Sequence, residues 1–427
     1  MRKMKDSGIE WIGEIPVGWS VCHFRNILDI YNGNSIKDDE KINFEDPIDA
    51  VPYIATKDID ATFQTIDYDN GMYVKYTDEA FKRAPTNSIL LCIEGGSAGK
   101  KIAFTDREVC FINKLCCFTS KSTNNRYIYY YMLSPAFTEE FKSHISGLIG
   151  GVSISEIKGF SIVLPNYRDQ EKITDFLDKK CAEIDTVIAK TKATIEEYKK
   201  LKQSIITEAV TKGIRGDRPM KDSGIEWIGD IPSNWETIRI KNLFDYRNER
   251  NDKPLEEVNL ISLYTDLGVV QHCDLEATTG NKASNADGYK LVYEADIVVN
   301  IILCWMGAIG RSAYTGVTSP AYDVYSPKEG TNSKFYHHLF RTQGFNGECY
   351  KVGRGIMAMR WRTYSDQFRA IKVVAPPKEE QAEIIDYLDN KCAEIDTLIA
   401  KKTSLLAEME TYKKSVIYEY VTGKREV

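Results

Sequence analysis

QEKITDFLDKKCAEIDTVIAK occupies residues 170–190, and QAEIIDYLDNKCAEIDTLIAK occupies residues 381–401. One passage written twice in a single chain decides the architecture, and its spacing is helical. Leu177, Cys181, Ile184, Ile188, Thr191, Ile195, Tyr198, Lys202, Ile205 and Ala209 alternate four and three apart. Leu388, Cys392, Ile395, Ile399, Lys402, Leu406, Met409, Lys413, Val416 and Tyr420 repeat that alternation. Apolar residues at this period form a heptad stripe, the pattern of helices packed along a seam. The stripe lasts roughly 40 residues, or about 60 Å at 1.5 Å per residue, longer than an ordinary globular helix. Leu177, Ile184, Ile188 and Ile195, with Leu388, Ile395, Ile399 and Leu406, are the candidate packing residues. Thr191 with Lys402, and Lys202 with Lys413, interrupt both stripes at equivalent places. Such polar positions either fix the register of a seam or mark where it frays or meets a partner.

Outward from the helices the duplication continues. Residues 4–19 read MKDSGIEWIGEIPVGW and residues 220–235 read MKDSGIEWIGDIPSNW; SIITEAVTKG at 204–213 matches SVIYEYVTGK at 415–424. Between these blocks, 32–163 and 248–374 share pattern but little sequence. Two copies make a duplicated pair, since solenoids need three or more. Ser88–Ile93 and Asp296–Ile302 read as buried strands, and Phe160–Leu164 and Ala370–Val374 as short strands ahead of Pro165 and Pro376-Pro377. Tyr127–Leu133 and Phe335–Phe340 read as helix starts. The expected fold class is α+β of mixed α/β character: two similar domains separated by two long helices in an antiparallel coiled coil, pseudo-two-fold by duplication. The boundaries fall at 1–165, 166–213, 214–376 and 377–427, each head carrying its short repeat.

Composition narrows the function. The chain has 427 residues, 43% hydrophobic and 28% charged, in the range of globular proteins. It has no run of about 18 apolar residues and begins with charge instead of a signal sequence, so a cytoplasmic location is expected. Ten cysteines and five histidines show no metal-ligand spacing. Free thiols in a reducing compartment and no metal are therefore expected. A net charge of −6 counts against nucleic-acid binding only if it is spread evenly, because local fields decide.

Catalytic signatures are missing. Gly95-Gly96-Ser97-Ala98-Gly99-Lys100-Lys101 resembles a phosphate loop but has Glu94 for its leading glycine and Lys101 for the Ser/Thr that holds magnesium. Its counterpart, Met306–Ser312, fails likewise. Both copies put Gly-x-x-Gly and a cation after a strand, presenting Ser97, Lys100 and Lys101, or Arg311, in a plain turn or a DNA-contacting one. Residues 347–372 hold Lys351, Arg354, Arg360, Arg362, Arg369 and Lys372 against Glu348 and Asp366, with Trp361 and Tyr364 among them. The cluster is either a solvated face or a DNA contact, since arginine forks suit guanine edges and phosphates. The corresponding Ser146–Ser153 is glycine-rich and uncharged, so two DNA-facing stretches would read different sequences.

The layout as a whole resembles the specificity subunit of type I restriction–modification systems. The MKDSGIEWIGEIP opening, Tyr53-Ile54-Ala55-Thr56-Lys57-Asp58-Ile59, the glycine turn, and Leu164-Pro165 followed by Gln170 all match, in order, along essentially the whole chain. The resemblance implies two target recognition domains, each binding half of a split double-stranded DNA target. It implies helices that set the spacer and dock two modification (methyltransferase) subunits, with restriction (ATP-dependent translocase/nuclease) subunits completing the complex. It also implies no catalysis by this chain and no cofactor bound to it, S-adenosylmethionine, ATP and Mg belonging to partner subunits. Tyr53, Thr56 and Lys57, with Tyr264, Thr265 and Asp266 in the second copy, then follow strands at the expected DNA face. An orphan DNA-binding adaptor, a cryptic nuclease or methylase, and a coiled-coil scaffold without DNA affinity are the rival readings.

Overall fold

A computed structural model of the chain describes residues 2–146, 150–274, 286–355 and 361–427. It divides into two compact units, Met1–Ala193 with Thr403–Val427, and Thr194–Lys402. The division cuts both long helices, Tyr167–Lys212 and Lys378–Val421, where the sequence suggested boundaries at their ends.

In the first unit, strand Ile89–Cys92 is buried at all four positions and lies between Leu115–Thr119 and Ile102–Phe104, with Asp29–Asn32 at the edge. A second sheet orders Tyr73–Lys75, Ala50–Ile54, Val109–Phe111 and Arg83–Ala84. Helices Asn125–Leu133 and Pro135–Ser143 cover the first sheet with an aromatic core that includes Phe24, Tyr127, Phe137 and Phe160. Asn124 caps the first of these helices, its side chain accepting from Arg126 N and Tyr127 N. The second unit repeats the plan with Phe244–Arg247, Tyr322–Pro327, Ile297–Asn300 and Ile309–Arg311 in one antiparallel sheet, covered by Ser333–Phe340 and Gln343–Val352.

The structure also accounts for the repeated blocks. In MKDSGIEWIG, Gly8 N bonds to Asp6 Oδ1 at 3.0 Å and Ser7 N to Gly13 O at 2.9 Å. Gly13 has a φ of 68°, a conformation that favours glycine. The second copy closes identically, with Gly224 N to Asp222 Oδ1 at 2.9 Å and Ser223 N to Gly229 O at 3.1 Å. The proline–glutamine signature is a helix-start clamp: Gln170 Nε2 donates to Pro165 O at 2.9 Å, and Gln381 Nε2 to Pro376 O at 2.8 Å.

Within each unit two helical stretches run antiparallel. In the first, Phe176 packs at a tilt against Tyr420 with centroids 4.4 Å apart, Asp185 pairs with Lys413, and Lys192 with Glu410. In the second, Lys202 meets Asp396, and just past the end of the first helix Arg215 meets Glu383 and Arg218 meets Glu380. Leu177, Ile184, Ile188, Ile195, Leu388 and Ile395 are buried, while Ile399 and Leu406 are half-buried. Thr191 is buried and Lys402 half-buried. Lys202 and Lys413, which break the apolar stripes, each find an aspartate on the facing helix, so these positions are paired and not frayed.

Candidate nucleic-acid interface

Each unit carries a short hairpin hung from the end of its central buried strand. In the first unit the chain leaves Pro135–Ser143 and folds back so that Ser146 and Gly151 exchange backbone bonds of 3.0 and 3.2 Å. Val152 N then donates to Ile93 O at 3.0 Å, beyond strand Ile89–Cys92. In the second unit the chain leaves Gln343–Val352, and Arg354 and Arg362 exchange bonds of 2.8 and 2.9 Å. Thr363 N donates to Ile301 O at 2.9 Å, just past strand Ile297–Asn300. A short helix follows in both copies. Ser153 opens the first with a reciprocal cap to Glu156, and Tyr364 N is taken by Gln367 Oε1 at 3.1 Å in the second. The scaffolding is the same and the side chains are not: glycine and serine on one hairpin, arginine on the other.

The arginine hairpin sits on an aromatic seat. Tyr350 and Trp361 stack with centroids 5.0 Å apart, and Trp305 packs on Tyr350 at 5.6 Å. Trp361 Nε1 donates to Tyr350 O at 3.1 Å. Gly353 makes the approach possible, since a Cβ there would lie 2.3 Å from Trp361 Nε1. Arg354 is exposed and Arg362 half-buried. Lys351, one turn before the hairpin, pairs with Glu226 at 2.8 Å and Glu348 at 3.1 Å. These hydrogen bonds raise the Lys351 pKa, and the same contact lowers that of Glu226.

The other residues read from the sequence scatter. Tyr53 is 4% exposed and its hydroxyl donates to Asn34 O at 2.7 Å, so its side chain belongs to the core, where burial pushes its pKa up to about 12. Thr56 is half-buried and its carbonyl accepts Lys101 Nζ at 2.7 Å, which turns Lys101 inward. Lys57 is exposed. Lys100 is exposed on the glycine turn, where Ser97 O accepts Lys100 N at 3.0 Å. That turn touches the glycine hairpin through Gly95 N to Gly150 O at 2.8 Å. Ser97, Lys100 and the hairpin therefore share one surface, and Tyr53 and Lys101 do not join it.

In the second unit Tyr264, Thr265 and Asp266 are exposed at a hairpin tip, and the carbonyls of Thr265 and Asp266 accept from Arg341 at 3.0 and 2.9 Å. Arg311 is not presented by a turn. It ends strand Ile309–Arg311, its Nε donates to Ser333 Oγ at 3.0 Å and its guanidinium reaches Glu294 at 3.5 Å. Arg360 lies outside the described residues. What the sequence reading missed is the seat itself, Trp305 and Tyr350, whose signal was an aromatic directly before a cation in Tyr350-Lys351 and Trp361-Arg362. Among the described residues no cluster of three or more His, Cys, Asp or Glu could hold a metal ion.

Comparison with known proteins places this geometry. The family model described as the type I restriction modification DNA specificity domain matches residues 16–197 and again 232–407. The chain is 26% identical over 437 residues to the putative type I restriction enzyme MjaX specificity subunit of Methanocaldococcus jannaschii, covering 97% of this chain and 95% of that one. It is 24% identical to the MjaVIII specificity subunit of the same organism, over 96% and 93% of the two chains. Its fold superposes with a TM-score of 0.71, at 13% identity, on a chain solved in a study of complex assembly and conformational transition of the type I R-M system, covering 96% and 99%. The HsdS subunit from Thermoanaerobacter tengcongensis gives a TM-score of 0.50 at 14% identity, over 96% and 98%. The chain belongs to the type I restriction–modification DNA specificity family, as a non-catalytic DNA-recognition subunit that carries the specificity domain twice.

Proposed function

We propose that each unit reads one half of a bipartite double-stranded DNA target, through the hairpin at the end of its buried strand. The observation that carries this reading is the matched pair Val152 N to Ile93 O and Thr363 N to Ile301 O, at 3.0 and 2.9 Å, which hangs unlike side chains on like frames. Sequence is read at base edges, whereas phosphate contacts set register, so two readers of different half-sites need a shared frame and different tips. In this reading the long helices set the spacer and dock two methyltransferase subunits, and ATP-dependent restriction subunits complete the assembly. S-adenosylmethionine, ATP and Mg are assigned to those partners. Among the described residues no helix is long and apolar enough to cross a membrane, which suits a chain that works on DNA.

Exchanging residues 32–163 for the equivalent block of another family member tests the division of labour. The reassembled complex should recognise a target changed in one half only, read by mapping its modified sites across a genome. A change in both halves would overturn the modular reading.

A further inference from the structure

Arg354 and Arg362 are directly opposite one another in the hairpin, a pair that exchanges both backbone hydrogen bonds at 2.8 and 2.9 Å. Side chains at opposed positions leave the ladder on the same face, with Cβ atoms about 5 Å apart. Two like charges held side by side in this way repel each other and destabilise the pairing. The second unit does not relieve the repulsion. Among the described residues neither guanidinium is engaged by an acid or a carbonyl, while Lys351, Arg311 and Arg341 of the same unit are all engaged. The Trp305–Tyr350–Trp361 cluster and the glycine at 353 hold the hairpin base in place, so the backbone keeps the two arginines opposed. Tyr350 and Tyr364 are 49% and 45% exposed beside them, giving a surface that is both cationic and aromatic.

Resting on the reading of unit two as a DNA half-site reader, we propose that Arg354 and Arg362 specify guanine in that half-site. A solvent-facing charge pair with no acid of its own is free to take an acceptor from outside, and a guanine edge in the major groove presents two, O6 and N7, in the geometry of an arginine fork. An arginine fork fits a phosphate as well as a guanine edge. Phosphate contacts, however, set register whereas base edges carry the sequence, and a half-site reader needs its base-reading groups on a fixed frame such as this aromatic seat. The glycine hairpin of unit one carries no cation among its described residues Ser146, Gly150 and Gly151, so the opposed arginine pair is a feature of unit two.

The experiment uses the full complex of this chain with its methyltransferase partners, selecting targets from a random duplex library at fixed salt. The half-site of unit two is assigned as the half left unchanged when residues 32–163 are exchanged. Within it, replacing one guanine by 7-deazaguanine, which lacks the N7 acceptor, should weaken binding by the wild-type complex on the order of ten-fold or more. Arg354→Gln and Arg362→Gln should each cause a loss of similar size, and for each variant there should be a guanine whose replacement by 7-deazaguanine adds no further loss. Arg362→Lys, which keeps the charge but not the fork, should retain nonspecific affinity and its salt dependence while losing the discrimination. A half-site without guanine, or variants that weaken every duplex equally and flatten the salt dependence, would overturn the assignment while leaving the two-reader model intact. A library that returns no bipartite target at all would remove the two-reader model and this inference with it. The 7-deazaguanine arm uses unaltered protein, so it decides even if a variant misfolds.

Discussion

Lys413 Nζ lies 2.7 and 2.8 Å from the two carboxylate oxygens of Asp185 and 3.2 Å from Gln64 Oε1. Its duplicate, Lys202, makes the same two contacts with Asp396, at 2.7 and 2.6 Å, and no third hydrogen bond among the described residues. The Lys413 and Asp185 side chains are 11% and 29% exposed, against 29% and 56% for Lys202 and Asp396. One pair is sealed by a loop from its own head and the other faces water. Lys413→Met should therefore cost about 2–4 kcal/mol, because it strands a half-buried carboxylate. Lys202→Met should cost under about 1 kcal/mol, as for an exposed pair. Urea unfolding of the two variants checks the inequality, and equal losses would contradict it.

Glu140 gives the first unit a pH response. The residue is 6% exposed, and burial pushes its pKa up to about 7, although Ser161 N donates to both carboxylate oxygens at 3.0 and 3.3 Å. An acid whose folded pKa is raised holds its proton more tightly in the native state. Its contribution is favourable below the unfolded value of about 4.5 and is lost as pH rises towards 7. Glu140→Gln keeps an acceptor for Ser161 N and should remove this loss. The variant should match wild type at pH 5 and exceed it by about 1–3 kcal/mol at pH 8. Hydrogen exchange of residues 125–164 reports the difference.

The second unit responds in the opposite direction. Burial, with the neighbouring His338 and Arg341, lowers the His337 pKa to about 3, and burial lowers that of His338 to about 4 against the pull of Asp389. Both rings are neutral in the fold, and His337 Nδ1 accepts Arg311 N at 3.0 Å. The unfolded chain takes up these protons below about pH 6.5, so the stability they lend is present above that value and lost as pH falls towards 4 and then 3. His338→Gln should make the second unit less sensitive to acid between pH 6.5 and 4, by on the order of 1–3 kcal/mol. Acid unfolding followed by hydrogen exchange in residues 297–340 measures it.

Tyr53 separates core from contact. Tyr53→Ala should cost about 3–5 kcal/mol, as for a buried aromatic, and Tyr53→Phe about 1 kcal/mol for the bond to Asn34 O. Neither should change which half-site the first unit selects. A switch in target preference with unchanged melting temperature would return Tyr53 to the interface.

The spacer prediction concerns Thr191, 6% exposed in the helical pairing of the first unit. Inserting seven residues beside it keeps the heptad stripe in phase. The complex should then accept a target of altered spacer with the same half-sites, or bind none. An unchanged spacer at full affinity would remove the ruler role from the helices.

These outcomes show what a sequence exposes and what it hides. The helices and repeated blocks were readable because their determinants are local: a period of three and four, a proline before a glutamine, an Asp-Ser-Gly turn. Strands such as Ile89–Cys92 were readable because burial on both faces gives an unbroken apolar run. Tyr53 was misplaced because a tyrosine at a strand end looks the same facing a core or a ligand. Arg311 was misplaced by analogy with Lys100. In the second copy the turn closes earlier, at Gly307 with a φ of 91°, and the strand absorbs the arginine. The aromatic seat was invisible because Trp305 and Tyr350 are brought together only by tertiary packing.

The first unit is assembled from two distant stretches of chain, and this sets an order of events in synthesis. Residues 194–402 form an unbroken segment and have everything they need once Lys402 has left the ribosome. The first unit does not. Tyr127 Oη donates to Val421 O at 2.8 Å, Tyr418 Oη to Trp11 O at 3.1 Å, and Lys424 Nζ to Glu14 O at 2.6 Å. The earlier-made head therefore waits for residues 418–424, while the later-made head has no such dependence. Such long-range closures are slow to form and leave apolar surface open in the meantime. A released chain truncated after Lys402 should thus protect residues 297–340 from protease and leave residues 125–164 open, the second unit folding without the stretch that the first requires.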